Sequence, residues 1–552
     1  MRWLLLGLRL AACDGPSTRP ARGDAVVDAA VDAAVDAAVD AALLVDAAVD
    51  AAADALVVDA AGVDAGPDAA CPPWTRPPGL GGPADARLTA ELADGWRAFR
   101  AAREQERLLE AWDPAAVRAR YRVEQAAIDA GCLSVADLVD LGRGLFLRVF
   151  TPAEGAGDGG VGLHRFQRGH RGGPDAVRCV DCHWKGGFAG AGDRADNSQL
   201  FGDGDHVRGQ DPRNPPALWG LGYVELLGRE LSAELQATRD AALAEARAGG
   251  VPVVVGLTAK GVDFGALTAR PDGSLDTRAV AGVDPDLVVK PFGWKGVFPT
   301  IRGFAQASLH LHLGLQAEEL LASPGDVDVG DGPPTDRDGD GVAREITAGQ
   351  LTALVLFLAT LDAPTVAVPL EGAAHGPPLS GEVQVIDAPE LTDRWLEGAQ
   401  VFATLGCPHC HVPFLPLEDA RFTTAPPGGR PVTLDLEVAA AAPRPVRGTD
   451  GVLLVPVFSD LKRHGMGRLL ASLHGEAGVP VDAWITRRLA GVATTSPYLH
   501  DGAATDFDEA ISLHGGEAAF AADAFAALPE HDRASLRVFL LGLQRAPAFR
   551  VR

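Results

Sequence analysis

Residues 178–187 read RCVDCHWKGG, two cysteines three apart, Cys179 and Cys182, with His183 directly after the second. The arrangement returns in GCPHCHVPF at 406–414, as Cys407, Cys410 and His411. Three chemistries use such spacing. A redox dithiol needs a βαβ setting and no adjacent histidine, and neither copy has that setting. A structural zinc site brings its ligand pairs closer together in sequence than the 228 residues that separate Cys179 from Cys407. Covalent haem attachment uses every residue: the thiols add to the haem vinyl groups, and the following imidazole becomes the proximal iron ligand. The motifs therefore predict two haem c groups, on Cys179/Cys182/His183 and on Cys407/Cys410/His411.

Around these motifs lies an internal repeat. LGRGLF (141–146) precedes the first and EGAQVF (397–402) the second, so Gly142/Phe146 and Gly398/Phe402 share a Gly-x-x-x-Phe pattern. Downstream, LTALVLFLATLDAP (351–364) and ASLRVFLLGLQRAP (534–547) are apolar helices stopped near Ala-Pro. Each half thus reads as helix, motif, long loop region, helix, with two helices crossing beside the haem. The expected fold is mainly α: two cytochrome c-like haem lobes with an N-terminal helical extension. The first lobe also carries an inserted loop and β-hairpin region, VPVVVGLTAKGVDFGALTARPDGSLDTRAV at 251–280. The boundaries expected are an export signal at 1–13, a tether at 14–72, the extension at 73–134, the first lobe at 135–366 and the second at 367–552.

A chain of 552 residues exceeds one core. Net charge is −25, yet eleven aspartates and no lysine or arginine lie between Asp24 and Asp68. An acidic chain with no basic cluster argues against a nucleic-acid partner. The Asp/Ala-rich run has like charges about four apart and only small apolar residues, which reads as a tether of roughly 35–40 Å as coil or about 70 Å as helix. Before it, MRWLLLGLRLAAC has the layout of an export signal. LAAC resembles a lipobox, which would lipidate Cys13 and anchor the protein at a membrane. Beyond Cys13 no stretch approaches the ~20 apolar residues of a spanning helix, so the remainder is expected to be soluble, in the periplasm or at the cell surface. Cys71 and Cys132 either pair in an oxidising compartment or are two unrelated thiols.

Each iron needs a sixth ligand or an open position. The chain has two methionines, one of them the initiator. Met466, in FSDLKRHGMGRLL, is the expected distal ligand of the second haem, with His464 its competitor. The first haem has no methionine. His164, His170 and His206 flank it in sequence, while His310, His312, His500 and His514 could approach it in the fold.

The two motifs occur with GGFAGAGDRADNSQLFG, DPRNPPALWGLGYVELLGREL, KPFGWKGVFPTIRGF, FSDLKRHGMG and TSPYLHDGAATDFDEAISLHGGEA. In that combination residues 135–552 resemble the di-haem oxidoreductase (thiol oxidoreductase-like) family, which is related to bacterial di-haem cytochrome c peroxidases. The resemblance implies an extracytoplasmic, two-lobed, peroxidase-like oxidoreductase. A small redox donor such as a cytochrome would deliver electrons to the second-lobe haem, and the first-lobe haem would meet peroxide. It makes Trp219 a candidate relay between the haems and Glu225 a candidate general acid–base. The alternative is a non-catalytic electron-transfer cytochrome. The related peroxidases also bind calcium. DRDGDGVAREIT (336–347) offers Asp336, Asp338 and Asp340, although Thr347 stands where an EF-hand places its glutamate.

Overall fold

The computed structural model describes residues 114–157, 166–167, 170–171, 174–201, 209–325, 327–366, 388–441, 444–448 and 451–545. The export signal with Cys13, the tether, Cys71, His164, His206 and most of the N-terminal extension lie outside these bounds. From the extension come two short helices, Pro114–Tyr121 and Gln125–Asp129.

Two helix pairs organise the chain. In the first half α1 (Val135–Leu147) packs against α4 (Ala348–Ala359), and in the second α5 (Ala388–Thr404) packs against α6 (Glu530–Leu541). Between α1 and α4 the chain forms α2 (Leu221–Gly249) and α3 (Ile301–Ser308). Both α1 and α4 begin with a capping box. The Ser134 hydroxyl accepts from Asp137 N–H and the Thr347 hydroxyl from Gln350 N–H, each at 3.1 Å, while the two side chains at the third position return the bond.

The repeated glycine sits where each pair crosses. A Cβ on Gly142 would lie 2.0 Å from the Ala353 carbonyl oxygen, and one on Gly398 would lie 1.9 Å from that of Ser535. Each would also stand 2.8 Å from the Cβ of a facing phenylalanine, Phe357 and Phe539 respectively. Four residues on, Phe146 and Phe402 pack edge-on or tilted against those same phenylalanines, with ring centres 5.5 and 5.2 Å apart. The Gly-x-x-x-Phe repeat is therefore a helix-crossing device, glycine for close approach and phenylalanine one turn later to fill the space.

The expectation of a mainly α fold is corrected. Sixteen strands form seven small antiparallel sheets of two or three strands among the described residues. Residues 253–276 give one sheet, in which Val253–Ala259 pairs with Val262–Ala269 through Lys260–Gly261, both at positive φ, as a tight hairpin turn requires. After the second motif, the region read as a long loop instead folds as short ladders. Phe414–Leu417 pairs with Leu453–Pro456, Arg421–Thr424 with Val432–Asp435, and Arg463–Gly465 with Ala483–Ile485. Runs of three or four residues interrupted by proline and glycine are too short to show the alternation that marks a strand.

Two apolar cores result. The smaller joins α5 and α6 through Trp395, Phe402, Leu536 and Phe539. The larger holds α1, α2 and α4, and also takes Leu415, Leu417, Phe422, Leu453 and Val455 from the ladders that follow the second motif. At the C-terminus Leu543–Gln544 pairs with Thr365–Val366, and Arg545 forms a two-pronged ion pair with Asp362 at 2.7 and 2.6 Å. The Arg545 guanidinium also donates to the Phe188 carbonyl at 2.9 Å. This clasp ties the end of the second half to the first.

Candidate haem-binding sites

The two motifs are built alike. Each opens a single 3₁₀ turn, Cys179–Asp181 and Cys407–His409. In the first, the backbone N–H groups of Cys182 and His183 donate to the Cys179 carbonyl at 3.2 and 3.1 Å; in the second, those of Cys410 and His411 donate to Cys407 at 3.3 and 2.9 Å. Each histidine then anchors Nδ1 on a backbone carbonyl, His183 on Gly190 at 3.2 Å and His411 on Phe458 at 3.0 Å. A carbonyl at Nδ1 makes that nitrogen the donor, which is how a metal-ligating imidazole is fixed in tautomer and orientation. Burial pulls both imidazoles down to about 4, so both are neutral at pH 7, as ligation demands.

Burial pushes Cys179 and Cys407 up to about 12, far from the reactive thiolate range. Among the described residues the four cysteines are not gathered into one metal-binding cluster, which disfavours zinc.

A cavity of about 270 Å³ opens beside the second motif, lined by Cys407, Cys410, His411, Met466 and His514, with Trp219, Trp294 and Trp484 on the facing wall. Its surroundings are largely apolar, including Phe402, Leu470 and Ile511. Arg487 and Arg488 also line it, and neither is paired with a carboxylate among the described residues; burial holds them down to about 9 and about 10. Two thiols, an imidazole held at Nδ1, an apolar wall and two guanidiniums without a carboxylate partner suit an amphipathic, dianionic group such as haem. Sequence reasoning missed this arginine pair; its one signal was two adjacent cations in ITRRLAG (485–491), a segment with no acidic neighbour.

His464, the competitor for the second iron, is held elsewhere. Nε2 bonds Asp460 at 2.7 Å and Nδ1 bonds Glu517 at 2.8 Å. Burial alone would lower it, but the bond to Asp460 and the thiol of Cys410 lift it to about 11, so it is an imidazolium with both nitrogens donating.

Trp219 is buried, and its indole N–H donates to the Phe188 carbonyl at 2.9 Å. A Cβ on Gly186, three residues past His183, would lie 2.8 Å from the ring, and one on Gly491, in the second half, would lie 2.5 Å from it. The indole is thus in contact with both halves. Glu225 lies elsewhere. It is buried on α2, ion-paired with Arg229, and accepts from the Ile301 N–H at 2.6 Å, which caps the start of α3. Burial raises it, yet it is not among the residues that line the cavity.

Near the first motif, His312 stands in a π-helical turn, Leu309–Leu313, with Nδ1 on the buried Asp175 carboxylate at 2.8 Å. The N–H groups of Asp175 and Ala176 donate to the His312 carbonyl, strapping it to the segment that leads into Cys179. His310 is buried, with Nε2 on the Asp328 carbonyl at 2.9 Å, and His500 stacks on Trp484 at 4.0 Å. His170 lies in a two-residue strand. Asp336, Asp338 and Asp340 bring ligand oxygens within 4.8 Å of one another.

Residues 390–543 match the family model described as "Di-haem oxidoreductase, putative peroxidase". That match, confined to the second half of the chain, supports the resemblance drawn from the motifs to a family described by haem and redox chemistry. No curated protein matches the chain.

Proposed function

We propose that the protein is an exported di-haem c-type cytochrome acting as a peroxidase-like oxidoreductase. Electrons from a small redox donor come in at the second-lobe haem and pass to the first-lobe site, where peroxide is reduced. The observation that carries this reading is the like construction of the two motifs, each with a histidine whose Nδ1 is held by a backbone carbonyl. Haem supplies the redox chemistry. The chain's own residues hold and orient it: Cys179/Cys182 and Cys407/Cys410 by thioether links, His183 and His411 as proximal ligands, Arg487 and Arg488 as countercharges for the propionates. Trp219, in contact with both halves, is the candidate relay. Glu225 has no part in this reading.

One observation favours the second reading, a non-catalytic electron carrier. His312 lies close enough to His183 to lower it electrostatically, and a histidine ligand there would close the first iron to peroxide. A peroxide titration separates the two. The haem-loaded protein should contain two covalently bound haems per chain. When half-reduced, it should show a high-spin signal that stoichiometric hydrogen peroxide removes while the other haem is oxidised. Two low-spin haems indifferent to peroxide would leave the electron carrier.

Export is supported by Cys132, which is disulfide-bonded, whereas Cys179, Cys182, Cys407 and Cys410 form no disulfide. Disulfides persist in oxidising compartments. Lipidation at Cys13 would tether the protein to a membrane at the periplasmic or cell-surface side, and recovery in the cytoplasmic fraction would overturn this localisation. The Asp336/Asp338/Asp340 loop completes the proposal as a calcium site. Burial and then the neighbouring Asp340 raise Asp338 to about 6, a repulsion that a bound cation would relieve. Calcium at a hundred times its Kd should stabilise the protein by about 2.7 kcal/mol in thermal unfolding. Asp338→Asn should remove that gain.

A further inference from the structure

We propose that His514, rather than Met466, is the second protein ligand to the iron held at His411, so that this haem has two imidazole ligands. The inference rests on the reading of the second motif as a haem c site.

His411 and His514 both line the cavity, with ring centres 6.3 Å apart and planes inclined at 55°. Two imidazoles bound on opposite sides of one metal, each through a bond of about 2.0 Å and with about 1.1 Å from Nε2 to the ring centre, stand roughly 6 Å apart. The observed spacing matches that distance.

The hydrogen bonding agrees. His514 ends the helix Phe507–Ser512, and its Nδ1 donates to the Ala510 carbonyl at 2.8 Å, one turn back. That leaves Nε2 with its lone pair, the same arrangement that Phe458 imposes on His411. The same wall offers two other groups. His464 has both ring nitrogens committed to carboxylates. Met466 also lines the cavity, but its backbone is fixed from both sides: its N–H donates to the Asp482 carbonyl at 2.9 Å, and its own carbonyl lies against Gly515, where an added Cβ would come within 2.8 Å. Next to His514, whose ring centre stands 6.3 Å from that of His411, Met466 is a wall residue.

The consequence is a lower reduction potential at the haem where electrons come in, because a thioether ligand raises the potential relative to imidazole. The donor would then be a stronger reductant than a methionine-ligated haem would need.

The test uses the full haem-loaded chain, with haem counted by pyridine haemochrome and the ferric haems followed by electron paramagnetic resonance and near-infrared magnetic circular dichroism. The wild type should show a low-spin bis-imidazole haem and no weak far-red band of a thioether–iron bond, and Met466→Leu should leave both spectra unchanged. His514→Ala should convert one haem from low to high spin, and His514→Met should shift its potential upward. A far-red thioether band that Met466→Leu abolishes, with two haems still attached, overturns the ligand and spares the motif. An unchanged low-spin spectrum in His514→Ala does the same. A chain that carries haem at the first motif alone overturns the reading of the second motif together with its ligand.

Discussion

Gly398→Val is expected to destabilise the protein by about 3 kcal/mol or more and to cut haem content at the second motif. The new Cβ would sit 1.9 Å from the Ser535 carbonyl oxygen and 2.8 Å from the Phe539 Cβ, so α5 and α6 must separate along their crossing. Helix propensity pulls the other way, since glycine inside a helix costs about 1 kcal/mol relative to alanine. The clash wins because the obstructing atoms are backbone and a Cβ, which cannot swing aside. Gly142→Val meets the Ala353 carbonyl at 2.0 Å in the first half and should behave likewise. Gly256→Ala, where an added Cβ meets nothing within 4 Å, is the control and should be close to neutral. Thermal unfolding and haem content read all three. A Gly398→Val protein that melts with the wild type would show that the crossing is not as tight as described.

Asp362→Ala should cost about 3–5 kcal/mol. It leaves Arg545 a largely buried cation without its two-pronged partner, its guanidinium 5.1 Å from the Trp219 ring centre. The loss belongs to the stranded charge more than to the bond itself. The double variant Asp362→Ala/Arg545→Met should therefore recover much of the deficit in the same denaturation experiment. If the single and double variants were equally unstable, the clasp would act through packing alone.

The likeness of the two Cys-x-x-Cys-His turns was legible because it is local: three residues at fixed spacing on one turn. The crossing helices were legible for a similar reason, since Gly142/Phe146 and Gly398/Phe402 repeat within four residues and the facing segments 351–364 and 534–547 are continuous apolar runs. Distant partners were not legible. Nothing in the sequence says that Asp460 and Glu517, on either side of His464 in the chain, close on its two nitrogens. Nor does it say that His411 and His514, 103 positions apart, line one cavity. Glu225 came only from the resemblance, and its partners, Arg229 and the start of α3, were not in the sequence pattern. The ladders after the second motif were hidden because a strand of three or four residues leaves no period to read, and the mainly α expectation failed on them.

The ladders between 414 and 456 leave the second motif and bury Leu415, Leu417, Phe422, Leu453 and Val455 in the core of the other half. The two haem units are therefore interlocked and cannot be cut and exchanged as cassettes. A break near 366 would strip the first unit of a wall and give the second an apolar flank that aggregates. Engineering of this scaffold would have to proceed by point substitution within the whole chain.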